Sequence, residues 1–163
     1  MSRSVIYPKE PIIGVDCSGQ PNSPPMIAVA TRWSRRNKQN KWASKITKEQ
    51  IMRHASKRDW QIKVYTALCF KAIDRVIVAD HDIHLDYDYQ DPNSQRKVIR
   101  YLHELIGSIH PGDPQMEKPD ISFKAKENSR YVREAHKKHG WALHGDMRID
   151  DETGIDYLMK ILG

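Results

Sequence analysis

Arg75-Val76-Ile77-Val78-Ala79-Asp80-His81-Asp82-Ile83-His84-Leu85-Asp86-Tyr87-Asp88-Tyr89 is the stretch that decides how this chain folds. Val76 to Ala79 open it as an apolar run, and its second half alternates. Successive side chains of a strand point to opposite faces, so Ile83, Leu85, Tyr87 and Tyr89 fall on one side and His84, Asp86 and Asp88 on the other. Three titratable groups in a row on an apolar-backed strand are costly to bury unless something compensates them. Either that face is the solvated side of an edge strand, or a divalent cation balances it. Carboxylate oxygens suit Mg2+ or Mn2+.

Upstream, Ile12-Ile13-Gly14-Val15-Asp16 is an apolar run ending on an acid, followed by Cys17-Ser18-Gly19-Gln20. It reads as a buried strand whose carboxyl end delivers Asp16 into a turn, where an Asp can also simply cap the backbone. Residues 20–25 read as a loop, Met26 to Trp33 as a second strand and Trp42 to Ile46 as a third. Arg32, Arg35, Arg36, Lys38, Lys41 and Lys45 follow one another with no acid between them, and Trp33 and Trp42 flank the run. Cations neutralise phosphates and indole faces stack on bases, so Arg32, Trp33, Arg35, Arg36, Lys38, Lys41 and Trp42 form a candidate nucleic-acid surface. The competing reading is a solvated hairpin anchored by its tryptophans.

Thr47-Lys48-Glu49-Gln50 has capping-box spacing for a short helix, and Asp59 stands where it can cap a second one reaching about Ile73. Downstream of the central stretch, Asn93 and Ser94 open a helix whose core face is Val98, Ile99, Leu102, Leu105, Ile106 and Ile109. Pro111-Gly112-Asp113-Pro114 breaks it. Ile121 to Ala125 is a short strand, and Asn128 or Ser129 caps a helix that turns Tyr131, Val132, Ala135 and His139 inward. A final helix covers about Thr153 to Leu162, with Asp150, Asp151 and Glu152 at its positive end. Three closely spaced early strands suit an antiparallel meander, and the later strand–helix–strand order suits parallel pairing. The expectation is one α/β domain over residues 1–163, with three antiparallel and two parallel strands flanked by helices.

Of 163 residues, 27 are Lys or Arg and 21 are Asp or Glu, a net charge of +6 that favours a polyanionic partner. Cys17 and Cys69 suggest neither a metal pair nor a disulfide framework. The apolar runs are short of transmembrane length and the first residues lack a signal-peptide core, so a cytoplasmic protein without a membrane partner is expected.

The element order, with Asp16 closing the first strand and Asp86 on the strand after the helices, resembles the RNase H-like superfamily. Two segments resemble its YkuK-like group more closely. Ile83-His84-Leu85-Asp86 is similar to that group's His-x-Asp strand. Lys118-Pro119-Asp120, followed by Ser129 to Lys137, is similar to its Lys-Pro-Asp segment and later helix with an acid and a histidine. The resemblance covers about residues 10–139. It implies an RNase H-like sheet in which the two acid-bearing strands are neighbours and their carboxylates share one or two divalent ions. Asp16, Asp86 and Glu134 match the metal-binding, catalytic acids. Two departures stand out: Gln20 comes later than the close Asp-Ser-Gln pattern, and Lys63 occupies the place of an expected helix acid in Lys63-Val64-Tyr65.

Asp88, sharing a face with Asp86, completes the candidate metal set. Glu134 and His136 diverge by about 200° on a helix, so only one of them can face the site; Glu134 is the choice because hard cations favour oxygen. His84 reads as a packed histidine and Asp146 as a reserve carboxylate in a turn. The expected function is a metal-dependent nuclease using Mg2+ or Mn2+ on RNA, DNA or a hybrid. One alternative is a degenerate nucleic-acid-binding module on the same fold, motivated by Lys63; another is a protein acting on small acidic metabolites, motivated by charge alone.

Overall fold

The computed structural model describes residues 12–21, 23–33, 39–76, 82–112, 119–139, 149–150 and 154–163. The elements run β1 (Ile12–Gln20), β2 (Ser23–Trp33), β3 (Gln39–Ile46), α1 (Lys48–Met52), α2 (Trp60–Asp74), β4 (Asp82–Leu85), α3 (Pro92–Ile109), β5 (Ile121–Phe123), α4 (Arg130–Lys137), β6 (Ile149–Asp150) and α5 (Gly154–Leu162). One mixed sheet carries the strands in the order β5-β4-β1-β2-β3-β6. β1, β2 and β3 form the expected antiparallel meander. β4 and β5 join it in parallel on the β1 side. The two-residue β6, which the sequence does not announce, adds a short parallel edge to β3.

β1 serves two layers because its residues alternate. Ile13, Val15 and Cys17 enter the main core with Val64, Leu68 and Phe70 of α2, Leu102 and Leu105 of α3, and Leu158 of α5. Gly14 and Asp16 point the other way, toward α4, which buries Tyr131, Val132 and Ala135. Gly14 is required there. A β-carbon at this position would run into the backbone carbonyl of Tyr131 and crowd the nitrogen of Val132. Its absence lets α4 lie directly on the strand.

Local chemistry fixes the helix starts. Thr47 and Gln50 close the predicted capping box on α1. Ser129 caps α4 by accepting from Val132 N at 3.4 Å. α3 begins slightly earlier than expected: Asp91 accepts from Ser94 N at 2.8 Å, and Pro92 occupies the first turn, where no N–H is needed. Asp59 stands at the N-cap of α2 in a left-handed conformation, without a side-chain cap. Its carboxylate instead accepts from Lys97 Nζ at 3.2 Å and Tyr101 Oη at 3.1 Å, tying α2 to α3.

Several strand boundaries move: β2 begins at Ser23, inside the expected loop, β3 begins at Gln39 and β5 ends at Phe123. β1 continues past the expected turn to Gln20, through an irregularity at Gly19, whose φ of 81° suits glycine. β4 ends at Leu85, so the alternation does not reach Tyr89. Asp88 N instead donates to Asp86 O at 2.8 Å, a three-residue turn that re-aims Asp88. Among the described residues, no helix is long and apolar enough to cross a membrane.

Candidate active site

The register of the parallel pair brings two acids together. Val15 stands opposite Leu85, and Asp86 N donates to Val15 O at 3.0 Å, carrying the ladder one residue beyond β4. Asp86 therefore lies beside Asp16, close enough for each carboxyl to shift the other's proton affinity. Asp16 is only 3% exposed. Asp88 is exposed as a residue, yet its carboxylate turns onto the buried Tyr65 hydroxyl, which donates to Oδ2 at 3.0 Å.

α4 and the residues after it supply what two adjacent buried acids lack. His136 Nδ1 lies 3.1 Å and His139 Nε2 2.8 Å from the same oxygen, Asp16 Oδ2. An ionised carboxylate only accepts, so both ring nitrogens facing it carry protons. His139 Nε2 is also 3.2 Å from Asp16 O, which pins the ring against β1. Its Nδ1 is buried without a hydrogen-bond partner. His136 differs in access, its side chain being 50% exposed.

These contacts separate the acids electrostatically. Burial pushes Asp16 upward, but hydrogen bonds from His139, Asp86 and His136 outweigh it and hold the carboxyl at about 2. Burial and the bond to Asp16 push Asp86 up to about 6, against the opposing Tyr87 N–H, which donates to Asp86 Oδ1 at 2.8 Å. The two acids thus oppose each other's ionisation, with Asp16 held in the charged form and Asp86 driven toward the neutral one. Burial also raises Asp88 to about 7, with repulsion from Asp86 and Asp16 adding to it and the Tyr65 bond opposing it.

Of the metal candidates named from sequence, Asp16, Asp86 and Asp88 lie in one electrostatically coupled group. Glu134 is engaged elsewhere, accepting from Lys137 Nζ at 3.4 Å along its own helix. The helix roll that puts His136 on Asp16 turns Glu134 away, so imidazoles occupy the place assigned to that carboxylate. Lys63 is not beside the acids either. Its ammonium donates to Gly163 O at 3.2 Å and lies 5.7 Å from the Tyr101 ring centroid. Tyr65, two residues on and on the opposite side of α2, faces Asp88. His84 is a packing residue, 2.8 Å from Ser129 Oγ and edge-on to Tyr131. A cation that sequence reasoning passed over, Lys126, sits close enough to Asp86 to favour its charged form.

The basic hairpin is partly accounted for. Arg32 donates to Val76 O at 2.7 Å, and Trp42 packs on the core under the Arg75 guanidinium, 5.1 Å from the ring centroid. Lys41 is partly buried. Arg35, Arg36, Lys38, the Trp33 side chain and Asp146 lie outside the described residues.

Among the described residues, no three His, Cys, Asp or Glu side chains already converge as a metal site. Asp16 and Asp86 sit where a cation's charge would offset their repulsion, and two imidazoles adjoin the same Asp16 oxygen. No protein-family model, curated protein or solved structure matches the chain.

Proposed function

We propose that the protein is a divalent-metal-dependent phosphodiesterase acting on nucleic acid, with Asp16 and Asp86 at the centre of its active site. The observation that carries this reading is the juxtaposition of these two acids at the ends of adjacent parallel strands, with two histidines on the buried Asp16 carboxylate. Structural ion pairs rarely place two carboxyls together in a half-buried position, because their repulsion is relieved only by a proton or a cation. The RNase H-like resemblance implies the same adjacency, and the net charge of +6 suits a polyanionic substrate.

Asp16, Asp86 and Asp88 would hold the cation. When bound, the cation supplies charge neutralisation at the phosphoryl group and a more acidic attacking water. The chain's own groups do the rest. His139 fixes the Asp16 carboxylate, so its orientation is set before substrate arrives. Lys126 offers a positive charge beside Asp86 for a phosphate oxygen. His136, half exposed on the same carboxylate, is placed to pass a proton to a departing oxygen. Lys63, which motivated the degenerate-module alternative, engages Gly163 and Tyr101, so its ammonium does not oppose a cation at the acids.

The test is cleavage of labelled single-stranded, duplex and hybrid oligonucleotides with Mg2+ or Mn2+, comparing wild type with Asp86→Asn. Cleavage that needs the metal and disappears in the variant is the expected result. Equal cleavage by both proteins would place the chemistry elsewhere, and binding without cleavage in both would favour a binding module.

A further inference from the structure

The row of side chains that begins with the two acids continues past Asp86. Leu85 stands opposite Phe123 in the parallel pairing of β4 with β5, and Lys124 N donates to Leu85 O at 2.7 Å, carrying that ladder one residue further. Lys124 therefore stands beside Asp86 as Asp86 stands beside Asp16. Alternation puts all three on one face. Ile121 and Phe123 enter the main core, so Ser122 and Lys124 turn to the side that carries His84, Asp86 and Asp16. The Lys124 charge acts on His84 from that same side. Neighbouring strands lie about 4.8 Å apart, so the backbone of Lys124 is one strand from Asp86 and two strands, about 10 Å, from Asp16.

Beyond β5 the chain turns at once. Ala125 O accepts from Asn128 N at 2.9 Å and from Ser129 N at 3.1 Å, which closes a tight turn around Lys126. Its charge reaches Asp86 and favours the ionised carboxyl. Both lysines are partly buried. Because β5 is the edge strand, the row of acid, acid and cation runs outward from the middle of the sheet to its open side.

A lysine on an edge strand often serves only to discourage pairing with another chain. Such a guard needs no register with a catalytic group, whereas Lys124 is in line with both acids and Lys126 adds a second charge from a fixed turn. An ammonium is a compact charge that suits a phosphate oxygen. A cation between Asp16 and Asp86 would meet the scissile phosphate, and the next phosphate of a chain follows at a distance comparable to one or two strand spacings.

We propose that Lys124 and Lys126 form the subsite for the phosphate adjoining the scissile one, so that the nucleic-acid backbone leaves the acids over β5. The proposal rests on the phosphodiesterase reading. It gives the substrate a direction, since the adjoining phosphate must lie on one particular side of the cleaved bond.

Dinucleotides with a single phosphodiester test it, carrying a terminal phosphate on the 5′ side, on the 3′ side or on neither, in Mg2+ or Mn2+. A terminal phosphate on one side only should lower KM about tenfold, the scale of one charge-assisted contact, with little change in kcat. The double variant Lys124→Ala, Lys126→Ala should lose that gain, and Lys124→Arg, Lys126→Arg should keep it. No gain from either phosphate, or a gain that survives in the alanine variant, overturns the subsite. If the alanine variant does not fold, the wild type's response to the terminal phosphates decides alone. Binding of a labelled single-stranded oligonucleotide in EDTA separates this subsite from catalysis. There the alanine variant should lower the slope of log affinity against log salt by about 1.4, for two phosphate contacts. Arg96→Ala, Arg100→Ala, which removes two exposed cations from α3 on the other side of the sheet, should leave it unchanged. A lowered slope in a protein that cleaves nothing would retain the phosphate subsite and sink the phosphodiesterase reading. Metal-dependent cleavage with an unchanged slope and no response to a terminal phosphate would do the reverse.

Discussion

Asp86→Asn should make the metal-free protein more stable at pH 8 and leave it unchanged at pH 4. Asp86 rises from an ordinary 3.8 to about 6 in the fold, so ionisation there opposes folding. The linkage sign follows: relative stability is fully present below pH 3.8, is lost as pH rises through about 6, and stays lost above it. At 1.36 kcal/mol per decade of proton affinity, the full rise corresponds to about 3 kcal/mol. Asp86 is only partly buried and is coupled to Asp16, so screening reduces this to roughly 1–2 kcal/mol. Asn keeps the size of the side chain, and its amide can donate to Asp16. For a chain of this length the gain is roughly 3–6 °C in Tm. The assay is thermal unfolding by circular dichroism at pH 4, 6 and 8 in EDTA. With Mn2+ the order should invert, because a ligand that binds only the native state stabilises by mass action, and the variant has lost a ligand. A variant no more stable than wild type at pH 8, or equally shifted at pH 4 and pH 8, would refute the assignment of a repelled carboxyl pair.

Gly14→Ala should destabilise by about 3 kcal/mol or more, since the obstructing atoms are backbone and cannot rotate aside; a shift in Tm under 3 °C would show that α4 yields easily. Lys63→Met should change stability by less than about 1.5 kcal/mol and leave metal-dependent cleavage intact, because its ammonium serves Gly163 and not the acids. Loss of cleavage in a folded Lys63→Met protein would return that lysine to the site. Replacing Arg35, Arg36, Lys38 and Lys41 together with Ala should lower the slope of log affinity against log salt by roughly 3, at about 0.7–0.9 per phosphate contact. An unchanged slope in filter binding would make the hairpin a solvated surface.

Parallel pairing was legible in the strand–helix–strand order, while the adjacency of β1 and β4, which places Asp16 beside Asp86, was implied by the RNase H-like resemblance and not by the pattern of either strand. The histidines were harder. His139, just past the end of α4, continues the helix's inward stripe, so its burial could be read, but its partner could not. The choice between Glu134 and His136 depends on the roll of the helix, and that is set by a contact between residues remote in sequence, Gly14 and Tyr131. The general preference of hard cations for oxygen pointed to Glu134, whereas the roll brings His136 to Asp16 and leaves Glu134 with Lys137. Asp88 was placed beside Asp86 by extending the strand too far; a three-residue turn, not alternation, aims it. Asp59 likewise has cap position without cap chemistry, because Lys97 and Tyr101 compete for its carboxylate.

The close seat of α4 on β1 gives the site two detachable halves. Its carboxyls belong to the sheet, and its imidazoles arrive on or just after a helix of eight residues, too short to persist alone in water. The helix stays folded because it is docked. Each undocking event would strip Asp16 of two donors at once and leave it facing Asp86 with less to offset their repulsion. Proton uptake by the acids and departure of the helix are thus one coupled equilibrium, and a cation held by both halves would draw that equilibrium toward the docked state. Amide exchange across Tyr131 to Ala135 accordingly measures how often the acid pair stands alone.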